Sequence, residues 1–126
     1  MTNKKNKQLQ LEREAWLRTL DYIRQENVFL KNRLADIVKN KMNVKMLEQA
    51  EYFQSLLINK DTTIAFLRYE IGRQNKYAEL ETESTGYLHK IVKRQDALRT
   101  DMEKMDKEIS RVNILFSDYM AEALTN

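Results

Sequence analysis

The chain has 126 residues with 22 Lys and Arg against 19 Asp and Glu, a net charge of +3, with 42% hydrophobic residues, no proline, no cysteine and two glycines. This length fits one domain, and the charge is too balanced for the disorder that high net charge imposes. Sheet folds of this size need many turns built on Gly and Pro, so the composition excludes all-β and α/β folds. Without cysteine there are no disulfides, Cys-ligated zinc, iron–sulfur clusters or thiol nucleophiles.

The N-terminal stretch from Met1 to Asn6 is polar and unpatterned, and it is expected to fray. No apolar run of about 7–15 residues follows its lysines, as a signal peptide requires. Runs such as Leu56-Leu57-Ile58 fall far short of the ~20 residues that span a bilayer. The expectation is a soluble, cytoplasmic protein without membrane insertion.

A stripe at alternating steps of four and three begins at Leu9. It passes Arg13, Trp16, Leu20, Ile23, Asn27, Leu30, Leu34 and Ile37 and ends at Lys41. Such spacing is the heptad signature of a helix packed along one seam. Arg13 and Lys41, near its ends, are expected to snorkel outward. Asn27, in the middle, has no such escape.

The frame breaks around Asn40-Lys41-Met42-Asn43. Carrying it on through Val44, Leu47, Ala50 and Phe53 needs three successive steps of three, which no straight helix keeps on one face. Asparagine favours turns and caps, so a turn is expected here. A second stripe then runs Met46, Ala50, Phe53, Leu57, Lys60, Ile64, Leu67, Ile71, Gln74, Ala78. A third runs from Leu88 through Ile91, Gln95, Leu98, Met102, Met105, Ile109, Val112, Phe116 and Tyr119 to Ala123.

Between the second and third stripes lies Glu81-Thr82-Glu83-Ser84-Thr85-Gly86, where Thr82 or Ser84 is positioned to cap a helix. The two stripes also join through Ala78, Glu81, Thr85 and Leu88 with one extra three-residue step, a stammer that a continuous helix tolerates. Glu81 and Thr85 are poor seam residues, which favours a turn.

The pattern therefore predicts helices over 7–41, 44–80 and 84–124. Each is about 55 Å long at 1.5 Å per residue, and short connections make neighbours antiparallel. The fold class is an all-α antiparallel three-helix bundle, a coiled coil of long helices forming one domain over 1–126. An extended hairpin with the second and third helices continuous is the alternative. The expected core includes Trp16, Leu20, Ile23, Leu30, Leu34, Leu57, Ile64, Leu67, Ile71, Leu98, Ile109, Val112 and Phe116.

Asn27, Lys60, Gln74 and Gln95 interrupt these apolar rows. A buried asparagine at such a position sets register and partner number at a cost in stability, which makes Asn27 a candidate register-setting residue. The alternative reading puts all four at partly exposed edges of an imperfect seam. The stretch from Arg24 to Leu34, with Asn27 at an a-type position, resembles many zipper segments, a likeness shared by unrelated proteins. No motif in the chain singles out a family.

Catalytic and cofactor chemistry finds little support. His89 is the one histidine, and position 86 is glycine, so the paired Glu-x-x-His motifs of a dinuclear carboxylate site are absent. Two-histidine zinc and non-haem iron centres are excluded with them. The two glycines, at 72 and 86, are too far apart for a phosphate-binding loop. A haem held by His89 and a methionine has no other feature behind it. Glu79, Glu81 and Glu83 alternate along the second junction and read as a solvated turn. No cofactor, metal or catalytic residue is expected.

Two function classes remain. Beside the second stripe lie Ile58, Thr62, Phe66 and Tyr69. Ile58, Phe66 and Tyr69 are expected to meet either the third helix or a second molecule, since apolar patches mark partner sites. This supports a non-catalytic interaction protein, an adaptor, scaffold or assembly component with a protein partner or itself. The alternative is a nucleic-acid-associated protein. Residues 1–42 carry ten Lys and Arg against five Asp and Glu, and Lys31, Arg33, Lys39, Lys41 and Lys45 gather toward the first turn, a bias able to neutralise phosphates.

Overall fold

The computed structural model describes residues 4–40, 43–80 and 85–125. It forms three long helices in chain order, α1 Lys4–Asn40, α2 Val44–Glu79 and α3 Thr85–Thr125, with no strand among the described residues. All three pairs of helices touch, which makes the chain an all-α three-helix bundle. α2 runs antiparallel to both neighbours, so α1 and α3 run parallel.

Two local devices place the turns. Asn43 adopts an extended backbone with ψ 157° and accepts a hydrogen bond from the Met46 N–H through its side chain, capping α2. At the other end Leu80 donates its N–H to the Lys76 carbonyl at 3.1 Å and closes α2. Tyr87 Oη then donates to the Tyr77 carbonyl at 2.8 Å, and the Arg94 guanidinium lies 4.3 Å from the centre of the Tyr77 ring. These contacts hold the start of α3 back against the end of α2. They replace the alternative of one continuous helix. The proposed caps Thr82 and Ser84 lie outside the described residues, as does Lys41.

At the N-terminus α1 begins at Lys4, three residues before the start at 7 that the stripe suggests, and Met1–Asn3 lie outside the described residues. Lysines and asparagine tolerate a solvated first turn, and helical backbone propagates one residue at a time once nucleated.

The core follows the three stripes. It divides into two apolar clusters stacked along the bundle. One gathers Leu20, Ile23, Ile64, Leu67, Ile71, Leu98 and the methionines 102 and 105, with Trp16 packed half-buried against it. The other gathers Leu34, Ile37, Met46, Phe53, Leu57, Phe116 and Tyr119, with Leu30 on its edge. Phe53 meets Phe116 edge-on with centroids 5.3 Å apart, and Tyr119 Oη donates to the Met46 carbonyl at 3.1 Å. A tyrosine thus enters the apolar core with its hydroxyl satisfied.

Leu67 is 2% exposed at the centre of the first cluster. Truncation by Leu67→Ala removes its transfer energy and leaves a cavity. A loss of ~2–5 kcal/mol in unfolding free energy is expected, measured by urea denaturation followed by circular dichroism.

Candidate functional site

The polar residues on the stripes are not at exposed edges. Arg13, Asn27, Lys60, Gln74 and Gln95 are all buried, with Asn27, Gln74 and Gln95 at 0% exposure. The expectation that Arg13 reaches outward is also overturned. Burying such groups costs several kcal/mol unless they are hydrogen-bonded, and the structure shows where the bonds go.

At one end of the bundle, three helices contribute to one network. Arg13 of α1 donates through Nη1 to Gln95 Oε1 of α3 at 2.8 Å, and through Nε to Asn75 Oδ1 of α2 at 2.5 Å. Gln95 Nε2 donates to the Leu9 carbonyl at 2.8 Å and to Glu12 Oε1 at 2.9 Å. Gln74 Nε2 donates to the Ile91 carbonyl at 2.7 Å. Arg99 holds both oxygens of Glu12, at 2.8 and 2.6 Å, a bidentate geometry stronger than a point contact. Arg99 holds the Glu12 carboxyl below the usual carboxylate range, and burial lowers Arg13.

Asn27 and Lys60 stand at the boundary of the two apolar clusters. Asn27 Nδ2 donates to the Leu57 carbonyl at 2.9 Å and to Asp61 Oδ1 at 2.6 Å. The other Asp61 oxygen takes Lys31. Burial pushes the Asp61 carboxyl up, but the bonds from Lys31 and Asn27 and the charges of Lys31 and Lys60 outweigh it and hold it below its ordinary value. Lys60 fares worse. Its ammonium lies 3.9 Å from Glu26, and among the described residues it has no hydrogen-bond acceptor. Desolvation lowers its affinity for the proton despite the nearby Glu26 and Asp61.

The remaining candidates separate. Ile58, Phe66 and Tyr69 are 50%, 56% and 64% exposed, so none of them is buried in the common core. At 100° per residue they fall on the outward half of α2, because the Leu57, Ile64 and Leu67 row already faces both neighbours. One row suffices for two contacts in a three-helix bundle. Phe66 differs from the other two in forming a wall of a groove between α2 and α3, about 420 Å³ in volume. Leu67, Met105, Ile109 and Val112 contribute to its lining, together with Asp101, Lys104 and Glu108. A continuation of the groove shares Phe66 and Asp101 and extends to Arg73 and Arg94.

The basic candidates are partly committed elsewhere. Lys31 pairs with Asp61, and Lys45 lies 3.6 Å from Glu122. Arg33 and Lys39 are exposed. Among the described residues no three His, Cys, Asp or Glu side chains gather as a metal needs, and no helix is long and apolar enough to cross a membrane. Comparison of the chain with protein-family models, with curated proteins and with solved structures gave no match.

Two expectations follow from the buried charges. A buried ammonium without a hydrogen-bond acceptor carries a desolvation cost that an apolar side chain of similar volume avoids, and Glu26 keeps solvent and its bond from Asn113 without it, so Lys60→Met is expected to raise unfolding free energy by about 1 kcal/mol or more at pH 7, read from the urea midpoint. The carboxyls of Glu12 and Asp61 have folded pKa values below their unfolded ones. Their contribution is complete above about pH 5, where the unfolded carboxyls are also ionised, and is lost as pH falls through the folded values. Asp61→Asn is therefore expected to flatten the loss of stability between pH 5 and pH 2, roughly the titration range of a carboxylate, measured by denaturation across that range.

Proposed function

We propose that the chain is a non-catalytic interaction protein, an adaptor, scaffold or assembly component of the cytoplasm, which works through its helix surfaces. One observation carries this reading. The α2–α3 groove, floored by core residues such as Leu67 and Ile109, stays open, and Phe66 stands exposed on its wall. An apolar side chain of this size beside an open apolar floor favours a packed partner over water. Ile58 and Tyr69 extend the apolar surface around the outside of α2. Within this reading Asn27 acts as a register-setting residue, since its bonds to Leu57 and Asp61 suit one alignment of α1 and α2.

The nucleic-acid reading draws less support, because Lys31 and Lys45 already face carboxylates. It is tested by binding to mixed-sequence DNA and RNA, where true affinity falls steeply as salt rises.

Phe66→Glu tests the interaction reading. The side chain is solvated in the free chain, so helicity and melting temperature are expected to stay within the range of ordinary surface changes, about 0.5 kcal/mol. Association, whether with itself or with a co-purifying protein, is expected to be lost. A variant that keeps the mass and all partners of the wild type overturns the reading.

A further inference from the structure

We propose that the α2–α3 face pairs with the same face of a second copy of this chain, about a two-fold axis that passes α3 at Asp106. The inference rests on the interaction reading above and gives it a partner.

One flank of α3 turns toward the groove. It advances in strictly alternating steps of four and three from Lys90 to Glu122, so its residues share one side of the helix. In the structure Arg94, Ala97, Asp101, Lys104 and Glu108 of this flank line the groove and its continuation. Its charges invert about Asp106. Two residues to either side stand Lys104 and Glu108. Five to either side stand Asp101 and Arg111. Twelve out are Arg94 and Asp118, and sixteen out are Lys90 and Glu122. The one uncharged pair, nine out, is Ala97 and Leu115. An antiparallel second copy therefore sets every cation against a carboxylate and the alanine against the leucine. Two-fold symmetry makes each contact twice. A parallel copy in register would set every charge against itself.

α2 fits the same axis. The bonds from Tyr119 to Met46 and from Gln74 to Ile91 place Asn59 level with Asp106. Seven residues to either side of Asn59 are Tyr52 and Phe66, 51% and 56% exposed. The rotation that matches the α3 charges brings Tyr52 of one copy to Phe66 of the other. Farther out on α2 the rotation sets like charges together, Glu48 against Glu70 and Lys45 against Arg73, but Lys45 already lies 3.6 Å from Glu122 of its own chain, and Glu70 and Arg73 lie 3.7 Å from each other. Glu108 likewise holds Arg111 at 2.6 Å, and in the pair it stands between its own arginine and Lys104 of the other copy.

The size is adequate. From Lys90 to Glu122 the face is about 48 Å long at 1.5 Å per residue, and two helices are about 20 Å across. That gives on the order of 900 Å² per chain, against about 800 Å² per partner in a standard interface. Exposed ion pairs contribute little singly, so the apolar floor and the aromatic pair supply the affinity, and the charges select the alignment.

Sedimentation equilibrium of the full chain decides the matter. The wild type is expected at twice its 15.1 kDa. Lys104→Glu places like charges together at two symmetry-related points and is expected to weaken the pair about tenfold or more. The double variant Lys104→Glu, Glu108→Lys restores opposite charges between copies and is expected to recover most of that loss. Wild-type chain that stays at 15.1 kDa up to about 1 mM, a concentration at which even weak pairing registers, overturns self-pairing. A double variant no better than the single one overturns the proposed alignment. A monomeric wild type leaves the broader reading to the Phe66→Glu comparison with a different protein, so the two failures are distinguishable.

Discussion

Long helices that bury heptad stripes have a sliding problem. Moving one helix past another by seven residues exchanges leucine for isoleucine and keeps most of the apolar contact. The network around Arg13, Gln74 and Gln95 is what such a slide breaks. Arg13, Gln74 and Gln95 are buried, so each bond lost from them leaves a desolvated group unpaired, at about 1–3 kcal/mol apiece. Because it draws on all three helices, the network ties α1 to α2 and α3 at once. The rest of the packing, including which methionine meets which isoleucine, is aligned from there.

The second polar level is built less generously. Asn27 and Asp61 share a short hydrogen bond, and Lys31 completes the carboxylate. Lys60 is drawn into the same level with a loosely placed ion partner. Its ammonium is the least well compensated buried charge among the described residues. It sits where the two apolar clusters meet, so the core is two separate stacks. The polar level interrupts the apolar contact between α1 and α2.

The outer surface follows a different rule. Each helix spends one stripe on the common core, which leaves the flanks free to carry charge. On α3 that flank is patterned along its length, with Lys104 and Glu108 nearest the centre and Lys90 and Glu122 at the ends. The groove beside it exposes core side chains that the third helix does not reach, since α1 packs on the opposite side of α2 and α3. An exposed Phe66 next to that floor is the feature through which fold and proposed function connect.

Periodicity determined the helical rows and the first turn. The alternation of fours and threes breaks at Asn40–Asn43 and marks the core row along each helix, because a helix repeats every 3.6 residues regardless of its neighbours, but one extra three-residue step carries it through Glu81–Gly86, and only the packing of α3 back on α2 separated the second and third helices. The sequence also showed which row positions were polar. It did not show that Arg13, Lys60, Gln74 and Gln95 were buried, because burial depends on whether a partner on another helix stands at the same level. Gln95 meets Arg13 across 82 residues of chain, a distance no local pattern encodes. Ile58, Phe66 and Tyr69 were legible as apolar, but whether they faced a helix or solvent was a matter of rotation about the α2 axis. The tertiary structure decided that rotation by seating one row of α2 against both neighbours. This turned Ile58 and Tyr69 outward and left Phe66 at the edge of an open groove.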